Sequence, residues 1–344
     1  MEKLLGKLQK LAAMRQEQEG VFALLPRESY APLAFSSKNY HELSAMPAQH
    51  ALAFIDGGHA ILLDAPHFCL AFLRAHAVIY TSKKRLSSRT IEAYLLVSSS
   101  TAKSSSSNQH EVSYSAEFLP LKGLFSFESL LSFDSLDGTI RTGTKRFSPS
   151  TLVGVSRRFA ELQLATEIMQ SLSAGDLIII DGSLQQSYTN EQHLLQELRL
   201  QAQKQGIVVM GLSKTNSVFA SNGSPFSSLL SEHPGQWWYS PVAQPLKSTP
   251  HISFARLHPK SPHVFMLESF GELQPEQYAT LAAYSHDPVF LGYPYGLIEA
   301  DRAARISNEE AGYLQTKLME KLGASFHSTL AAKNAHRILD KIQF

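Results

Sequence analysis

Two Asp-Gly pairs follow runs of aliphatic residues at separate places in the chain. Asp56 follows ALAFI in ALAFIDGGHA, and Asp181 follows LIII in DLIIIDGSLQQ. Taken singly, Asp-Gly is the strongest short-range signal for a hairpin turn, because both residues tolerate a positive φ angle. A carboxylate at the end of a buried strand is also a rigidly held ligand for a hard cation such as Mg²⁺ or Mn²⁺. A turn and a metal site therefore stand as alternatives for both pairs.

A metal site for phosphoryl transfer needs further polar groups from other elements. Two divalent ions about 3.5–4 Å apart can activate the attacking water and stabilise the leaving oxygen. The predicted helix before Asp181 offers Glu161 and Glu167, which point to different faces, and spacing alone does not choose between them. Lys214 follows another apolar run and is placed to meet a phosphate oxygen or developing negative charge. An ordinary strand-end lysine is the alternative for Lys214.

The elements that position these residues change character near Ser150. Before it, apolar runs bounded by turn residues predict strands over 51–55, 59–64 and about 68–81, continued by the antiparallel strand IEAYLLVSSS. After it, the chain reads helix, strand 177–181, a helix closed by Gly206, and strand 207–212. A helix between two strands implies that the strands are parallel. We therefore predict an α/β fold with a mixed sheet, antiparallel first and then parallel, flanked by helices, as in ribonuclease-H-like proteins.

We predict a single domain over residues 1–344, to which the remaining segments belong. An amphipathic helix covers 1–20, and the Ser-rich stretch 98–109 reads as a mobile insertion, because it has too little apolar area to fold. Residues 222–250 read as a loop excursion, in which Trp237-Trp238-Tyr239 is expected to pack, with a base-stacking platform as the alternative. Two strands, HISFARLH and HVFMLES, and two helices, PEQYATLAAYS and NEEAGYLQTKLMEKLG, follow.

The net charge, the cysteine count and the hydrophobic runs limit which classes of protein this chain can belong to. The net charge is +1 over 344 residues, so contact with nucleic acid would use local basic groups such as Arg157-Arg158 rather than a global basic field. The single cysteine, Cys69, excludes a disulfide within the chain and a zinc cluster of cysteines. The N-terminus lacks the apolar region of a signal peptide, and no run reaches 18 apolar residues. We therefore expect a cytoplasmic protein without a membrane span.

Four separated segments resemble the NurA nuclease family. They are FIDGG (54–58), RRFAELQLA (157–165), IIIDGSL (178–184) and GYPYGLIEADRAARI (292–306), of which the last is the most distinctive. Their order and approximate separations agree with the family from about residue 50 to residue 310. No single segment is specific, and the resemblance rests on their conjunction.

The resemblance implies a ribonuclease-H-like core and a Mn²⁺-dependent DNA nuclease, with Mg²⁺ as the alternative cation. Such enzymes cleave single-stranded DNA endonucleolytically and degrade DNA ends 5′ to 3′. They work as homodimers with a hexameric HerA-type translocase in DNA end resection and repair. The alternative is a non-catalytic module that binds DNA ends or the motor and keeps a degenerate site.

Carried over by position, the resemblance assigns a metal-binding role to Asp56, Glu161 and Asp181, and so favours Glu161 over Glu167. Asp301 stands where some members have a metal-binding histidine, and either binds the metal or pairs with Arg302 or Arg305 on the helix surface. Tyr293 aligns with a family tyrosine near the site, and packing is the alternative for it.

Overall fold

A computed structural model describes residues 1–13, 20–43, 50–103, 110–215 and 217–322. The strands are β1 (Ala23–Leu24), β2 (Tyr30–Pro32), β3 (Tyr40–Glu42), β4 (Leu52–Asp64), β5 (Phe68–Thr81), β6 (Lys84–Lys103), β7 (His110–Lys122), β8 (Ser132–Asp134), β9 (Leu177–Asp181), β10 (Val208–Ser213), β11 (Phe219–Ala220), β12 (Trp237–Tyr239), β13 (Ala243–Pro245), β14 (His251–Arg256) and β15 (Phe265–Ser269). The helices are α1 (Glu2–Ala13), α2 (Thr151–Ile168), α3 (Glu191–Gln205), α4 (Phe226–Ser231), α5 (Pro275–Ala283), α6 (Tyr295–Ala304) and α7 (Asn308–Leu322).

The chain divides into two compact units. The first unit consists of Met1–Pro47 and Gly211–Tyr293, and the second of Ala48–Met210 and Pro294–Phe344. The sequence led us to expect one domain with insertions, whereas the backbone contacts separate these two parts. None of the described helices is long and apolar enough to cross a membrane.

In the first unit, strand β12 pairs antiparallel with β3 on one side and β14 on the other, and β14 pairs with β15. Trp237 and Tyr239 of β12 are buried in an aromatic core that includes Phe254. The preferred prediction for this aromatic stretch, packing, is therefore correct. The prediction that 222–250 is a loop excursion is wrong, because α4, β12, β13 and buried apolar side chains lie within it.

The second unit carries the predicted mixed sheet. Strands β4, β5, β6 and β7 pair antiparallel in sequence, and β9 pairs parallel with the other edge of β4. Strand β10 begins beside β9, with α2 before β9 and α3 between β9 and β10. An antiparallel run that starts at β4, with a parallel strand added at the other edge of β4, agrees with the ribonuclease-H-like arrangement, so the predicted mixed sheet flanked by helices is confirmed.

The first Asp-Gly pair is not a turn and does not end a strand. The predicted strands 51–55 and 59–64 are one continuous strand, β4, and Asp56, Gly57 and Gly58 all pair with residues of β5. Neither glycine has a positive φ angle, whereas Gly182 after β9 does, at 124°. Gly57 and Gly58 therefore serve close packing against β4 rather than a reversal of the chain, while Asp181 ends its strand as predicted.

Two further boundaries differ from the sequence expectation. Ser98–Lys103 belong to β6 and pair with β7, so this part of the predicted insertion is a strand. A serine-rich segment can form a strand when its backbone groups find partners on a neighbouring strand, which local composition does not reveal. The rest of that insertion, 104–109, and the predicted end of the N-terminal helix, which falls on 14–19, lie outside the described residues.

Helix α2 places the Glu161 segment against the sheet. It begins at Thr151 and contacts β4, β5 and β6. Phe159 and Leu162 are fully buried, as their helical spacing predicted. Helix α3 ends at Gly206, whose φ angle of 69° suits a left-handed helix terminus.

Candidate active site

Asp56 and Asp181 lie side by side on adjacent parallel strands. Ile55 and Ile180 are register partners, and the two aspartates are the next residues on β4 and β9. Side chains at matched positions of neighbouring strands point to the same face of the sheet, and such strands lie about 4.8 Å apart. The carboxyl end of β9 therefore brings together two of the carboxylates that the sequence assigned to a metal site.

Glu161 approaches β4 from the α2 face, at the position of Gly57. A Cβ atom at Gly57 would lie 2.6 Å from Glu161 Oε1 and 3.0 Å from Arg157 Cγ. Because side chains alternate along a strand, this contact lies on the face opposite to that of the Asp56 side chain. The missing side chain of Gly57 thus makes room for the Glu161 carboxylate.

The Glu161 carboxylate is buried and already paired with arginine. It is 1% exposed, contacts the Arg157 guanidinium and lies 4.0 Å from Arg158 Nη1. Burial raises the pKa of the Glu161 carboxyl, the two arginines act against this rise, and the Asp181 carboxylate adds to it. The charge of Asp181 therefore acts on the Glu161 carboxyl in the same direction as burial does.

Glu161 and Glu167 have different partners in the structure. Glu167 pairs with Arg89 of β6 and accepts a hydrogen bond from Gln163. The structure thus places Glu161, the residue that the resemblance favoured, beside β4.

Helix α6 covers the other face of β4. Gly296 lies against the ring of Phe54, and a Cβ atom at Gly58 would lie 2.9 Å from the carbonyl carbon of Ala304. Phe54, Asp56 and Gly58 alternate along β4 and so share this face. The distinctive segment GYPYGLIEADRAARI therefore contains the helix that packs against the Asp56 face of the strand.

Asp301 pairs with an arginine of its own segment. Its carboxylate lies 2.7 Å from Arg305 Nη2, one turn further along, and 38% of its side chain is exposed. Of the two alternatives from the sequence, the structure has the surface ion pair with Arg305.

Lys214 and Tyr293 belong to the first unit, whereas Asp56, Glu161, Asp181 and Asp301 belong to the second. The Lys214 ammonium lies 5.2 Å from the centroid of the Tyr293 ring, which is a cation–π contact. Tyr293 is 1% exposed and stacks on Phe290, and the ring of Phe265 is tilted against it. The packing role for Tyr293 is observed. Lys214 and Tyr293, both candidate site residues from the sequence, are in contact with each other.

Sequence reasoning missed one titratable residue at this site, His76. It is the register partner of Asp56 on β5 and is 6% exposed. Its Nδ1 atom lies 2.8 Å from Thr90 Oγ1, and its Nε2 atom is buried without a hydrogen-bond partner among the described residues. A histidine inside the apolar strand AFLRAHAVIY is the only signal for it in the sequence, and that signal appears once Asp56 and β5 are paired.

The donors at this edge fit a divalent cation by their chemistry. Two carboxylates and a buried ring nitrogen lie at one level of the sheet, and carboxylate oxygen is the ligand that Mg²⁺ and Mn²⁺ prefer. Among the described residues, no group of three or more His, Cys, Asp or Glu side chains is already gathered at metal-binding distance. The fit therefore rests on the chemistry and the register of the two aspartates.

The strand order, with neighbouring aspartates on β4 and β9, defines a ribonuclease-H-like fold. No protein-family model matches the chain, and no curated protein matches it. Among solved structures it is similar to the NurA nuclease from Sulfolobus solfataricus, at 15% identity and a TM-score of 0.48, over 83% of this chain and 88% of that chain. This is the family that the sequence segments resemble.

Two endonuclease V structures are also similar to the chain. The catalytic domain of human Endonuclease V matches at 9% identity and a TM-score of 0.38, over 82% of this chain and 92% of that chain. Ciona intestinalis Endonuclease V in complex with a DNA containing inosine matches at 9% identity and a TM-score of 0.38, over 78% and 88% of the two chains. At these identities the similarity concerns the fold.

Proposed function

We propose that this protein is a divalent-metal-dependent nuclease that hydrolyses phosphodiester bonds of DNA. The observation that carries the proposal is the register of Asp56 and Asp181, which puts two carboxylates side by side on adjacent parallel strands. Glu161 provides a third carboxylate within electrostatic reach of Asp181. The four sequence segments that resemble NurA nucleases supply the choice of DNA as substrate.

In this proposal, Asp56 and Asp181 hold the cation, and Glu161 acts from the α2 face of the sheet through its charge beside Asp181. A bound divalent cation would supply an activated water and charge stabilisation at the phosphate. The chain itself orients the carboxylates, since β4 and β9 fix their spacing, and it excludes water from Asp56, which is 6% exposed. We propose Mn²⁺ as the preferred ion, with Mg²⁺ as the alternative.

The finer proposals rest on the sequence resemblance. We propose cleavage of single-stranded DNA and degradation of DNA ends 5′ to 3′ in end resection and repair, by a homodimer that acts with a HerA-type hexameric motor. Lys214 would meet the phosphate, and Tyr293 would support it through their cation–π contact. Sedimentation of the purified chain tests the dimer, and comparison of cleavage with and without the motor tests the partnership.

A second candidate is a non-catalytic module that binds DNA ends or the motor. It is favoured by the two ion pairs that engage carboxylates proposed as ligands, Glu161 with Arg157 and Asp301 with Arg305. In that case the chain binds DNA or the motor without cleavage, and Mn²⁺ does not raise its melting temperature.

The deciding experiment is cleavage of a labelled single-stranded oligonucleotide with Mn²⁺, Mg²⁺ or EDTA. Wild type is compared with Asp56→Asn, Asp181→Asn and the control Asp64→Asn, which changes an aspartate at the far end of β4. We expect Mn²⁺-dependent cleavage by wild type and the control, and its loss in the other two variants at unchanged denaturation midpoints. Equal cleavage by wild type and both site variants contradicts the proposal. Absence of wild-type cleavage with every metal, with and without the motor, favours the binding module.

A further inference from the structure

A cleft of about 510 Å³ on the second unit is formed by the loop that precedes α2 and by the first residue of that helix. Its volume falls within the range of about 300–1,000 Å³ that is typical of ligand pockets. None of the described residues that line it carries a carboxylate. Its polar lining supplies two cations and three hydroxyl groups, which suit phosphate oxygens as hydrogen-bond donors. These residues are Thr142, Thr144, Lys145, Arg146 and Thr151.

The same cleft has an apolar part. Ile140 and Phe147 line it beside the polar residues. Phe147 is 6% exposed, and its ring lies against that of Tyr114 on β7, with 5.0 Å between the centroids. A nucleotide joins a charged phosphate to the apolar surfaces of a sugar and a base. The mixed lining therefore fits a nucleotide better than it fits a small inorganic anion.

The loop is anchored to the body of the unit next to its cations. The Phe147 N–H group donates to the backbone oxygen of Ser135 at 3.0 Å, and the Arg146 guanidinium donates to Ser135 Oγ. Ser135 is fully buried, so these bonds fix one end of the loop. Lys145, the residue before Arg146, is exposed to solvent. The anchored backbone thus presents the Lys145 ammonium at the surface of the cleft.

Two aspartates of the same loop are engaged in turns. Asp134 Oδ1 accepts a hydrogen bond from the Leu136 N–H group at 2.6 Å, and Asp137 Oδ1 accepts one from the Thr139 N–H group at 2.8 Å. An Asp side chain that binds the backbone two residues further on stabilises a turn. Neither aspartate lines the cleft. These carboxylates therefore shape the loop and leave the cleft lined by cations.

Hydrogen bonds join this loop to the connection between Asp181 and α3. The Thr189 N–H group donates to Thr139 Oγ1 at 3.1 Å, and Asn190 Nδ2 donates to the backbone oxygen of Leu130 at 2.9 Å. The connection leaves the carboxyl end of β9, the end that carries Asp181. In open α/β sheets, ligands bind outside the carboxyl ends of the strands. The loop that forms the cleft is thus fixed to the chain segment that follows a proposed metal ligand.

We propose that this cleft binds the sugar-phosphate backbone of a single DNA strand, with Lys145 as a phosphate contact. The inference rests on the proposed function and deepens it, because it names a binding surface for the substrate beyond the two aspartates. Arg146 and the threonine hydroxyl groups share the phosphate oxygens, and Ile140 and Phe147 contact the apolar part of the nucleotide. An acidic peptide would meet the same cations, and the test includes it as the alternative occupant.

The test measures binding of a fluorescent single-stranded oligothymidine to the full chain in EDTA, so that cleavage by bound metal does not interfere. Lys145→Ala is compared with wild type and with Lys204→Ala, which removes the same charge from the last turn of α3. We expect Lys145→Ala to bind at least about threefold more weakly and to reduce the slope of log Kd against log salt by about 0.7, the value for one phosphate contact on a single strand. Lys204→Ala should keep the wild-type affinity and slope.

Three further comparisons separate a charge contact from other effects. Lys145→Arg should restore the wild-type salt slope. An oligothymidine with uncharged methylphosphonate linkages should bind wild type and Lys145→Ala equally. A glutamate peptide with the charge of the oligothymidine should bind wild type more weakly than the DNA does. Denaturation midpoints should match across the variants, because Lys145 is exposed.

The outcomes distinguish this inference from the proposed function. Wild-type affinity and salt slope in Lys145→Ala overturn the inference, whether or not the protein cleaves DNA. Tighter binding of the glutamate peptide than of the oligothymidine also overturns it and assigns the cleft to an acidic protein segment. A reduced slope in Lys145→Ala supports the inference. It does so even if wild type cleaves DNA with no metal, a result that would contradict the nuclease alone.

Discussion

The carboxylate of Glu161 occupies the space that a side chain at position 57 would need. A Cβ atom on Gly57 would lie 2.6 Å from Glu161 Oε1, closer than real Cβ atoms approach a neighbour. Gly57 is extended and pairs with Ala75 of β5, so its lack of a side chain serves this contact rather than a turn. The position of Glu161 is therefore tied to the residue that follows Asp56.

Adding a methyl group at each of the two glycines should have different consequences. Gly57→Ala meets the end of the Glu161 side chain, so we expect Glu161 to be displaced, with loss of Mn²⁺-dependent cleavage and a small change in stability. The added methyl group of Gly58→Ala meets the backbone of Ala304, which cannot move aside as a flexible side chain can. Overpacking of this kind costs about 1–3 kcal/mol, so we expect Gly58→Ala to lower the free energy of unfolding by that amount.

The control for both is Gly154→Ala. Gly154 lies in α2 with nothing within 4 Å of its Cβ position, so alanine there should stabilise the helix by up to about 1 kcal/mol. Urea denaturation and the oligonucleotide cleavage assay measure the set. Full activity in a folded Gly57→Ala protein would show that cleavage does not depend on the position of Glu161.

The two glutamates of α2 provide a matched pair within one helix. Glu161→Gln keeps the shape of the side chain but removes the negative charge beside Asp181, so we expect loss of Mn²⁺-dependent cleavage. Glu167→Gln changes a residue that pairs with Arg89 and should leave cleavage near the wild-type rate. Rates for both variants at saturating Mn²⁺ check this, and equal losses in the two would remove Glu161 from the site.

Much of the second unit could be predicted from local sequence patterns. The apolar run into Asp181 predicted β9, the helical spacing of residues such as Phe159 predicted α2, and Gly206 marked the end of α3. Each of these signals is local, because it depends on side-chain periodicity or on a favoured backbone conformation.

What could not be predicted depends on strand pairing. The continuity of β4 through Asp56 is set by its pairing with β5, and the same register places His76 opposite Asp56. The choice between Glu161 and Glu167 likewise required the packing of α2 against Gly57. Register is a property of two segments together, so neither segment alone contains it.

Asp301 should be dispensable for metal binding. Its carboxylate pairs with Arg305, whose side chain is 69% exposed, and exposed ion pairs contribute about 0–1 kcal/mol. We therefore expect Asp301→Asn to leave Mn²⁺ affinity and cleavage near wild type and to change stability little. Isothermal titration with Mn²⁺ is the measurement, and a large loss of affinity would mean that Asp301 leaves Arg305 to bind the ion.

Arg157 and a metal ion should compete for the Glu161 carboxylate. Glu161 is 1% exposed and contacts Arg157, so its charge is offset by the guanidinium in this structure. Arg157→Ala removes that counter-charge, and a buried group that loses a charged partner costs about 1–3 kcal/mol. We expect this variant to be less stable than wild type in EDTA and to gain more from Mn²⁺, because the cation can take the place of the guanidinium.

Arg158→Ala is the matched control for this competition. Arg158 Nε lies 2.9 Å from Glu191 Oε1, Arg158 also donates to the backbone oxygen of Ser183, and its Nη1 atom lies 4.0 Å from Glu161, so it offsets the Glu161 charge less than Arg157 does. Its loss should destabilise the protein and increase the rise in melting temperature that Mn²⁺ causes by less than Arg157→Ala does. Thermal unfolding of both variants, with Mn²⁺ and with EDTA, measures the difference. A rise in Arg157→Ala no larger than in wild type would mean that Glu161 stays outside the metal site even when its arginine is absent.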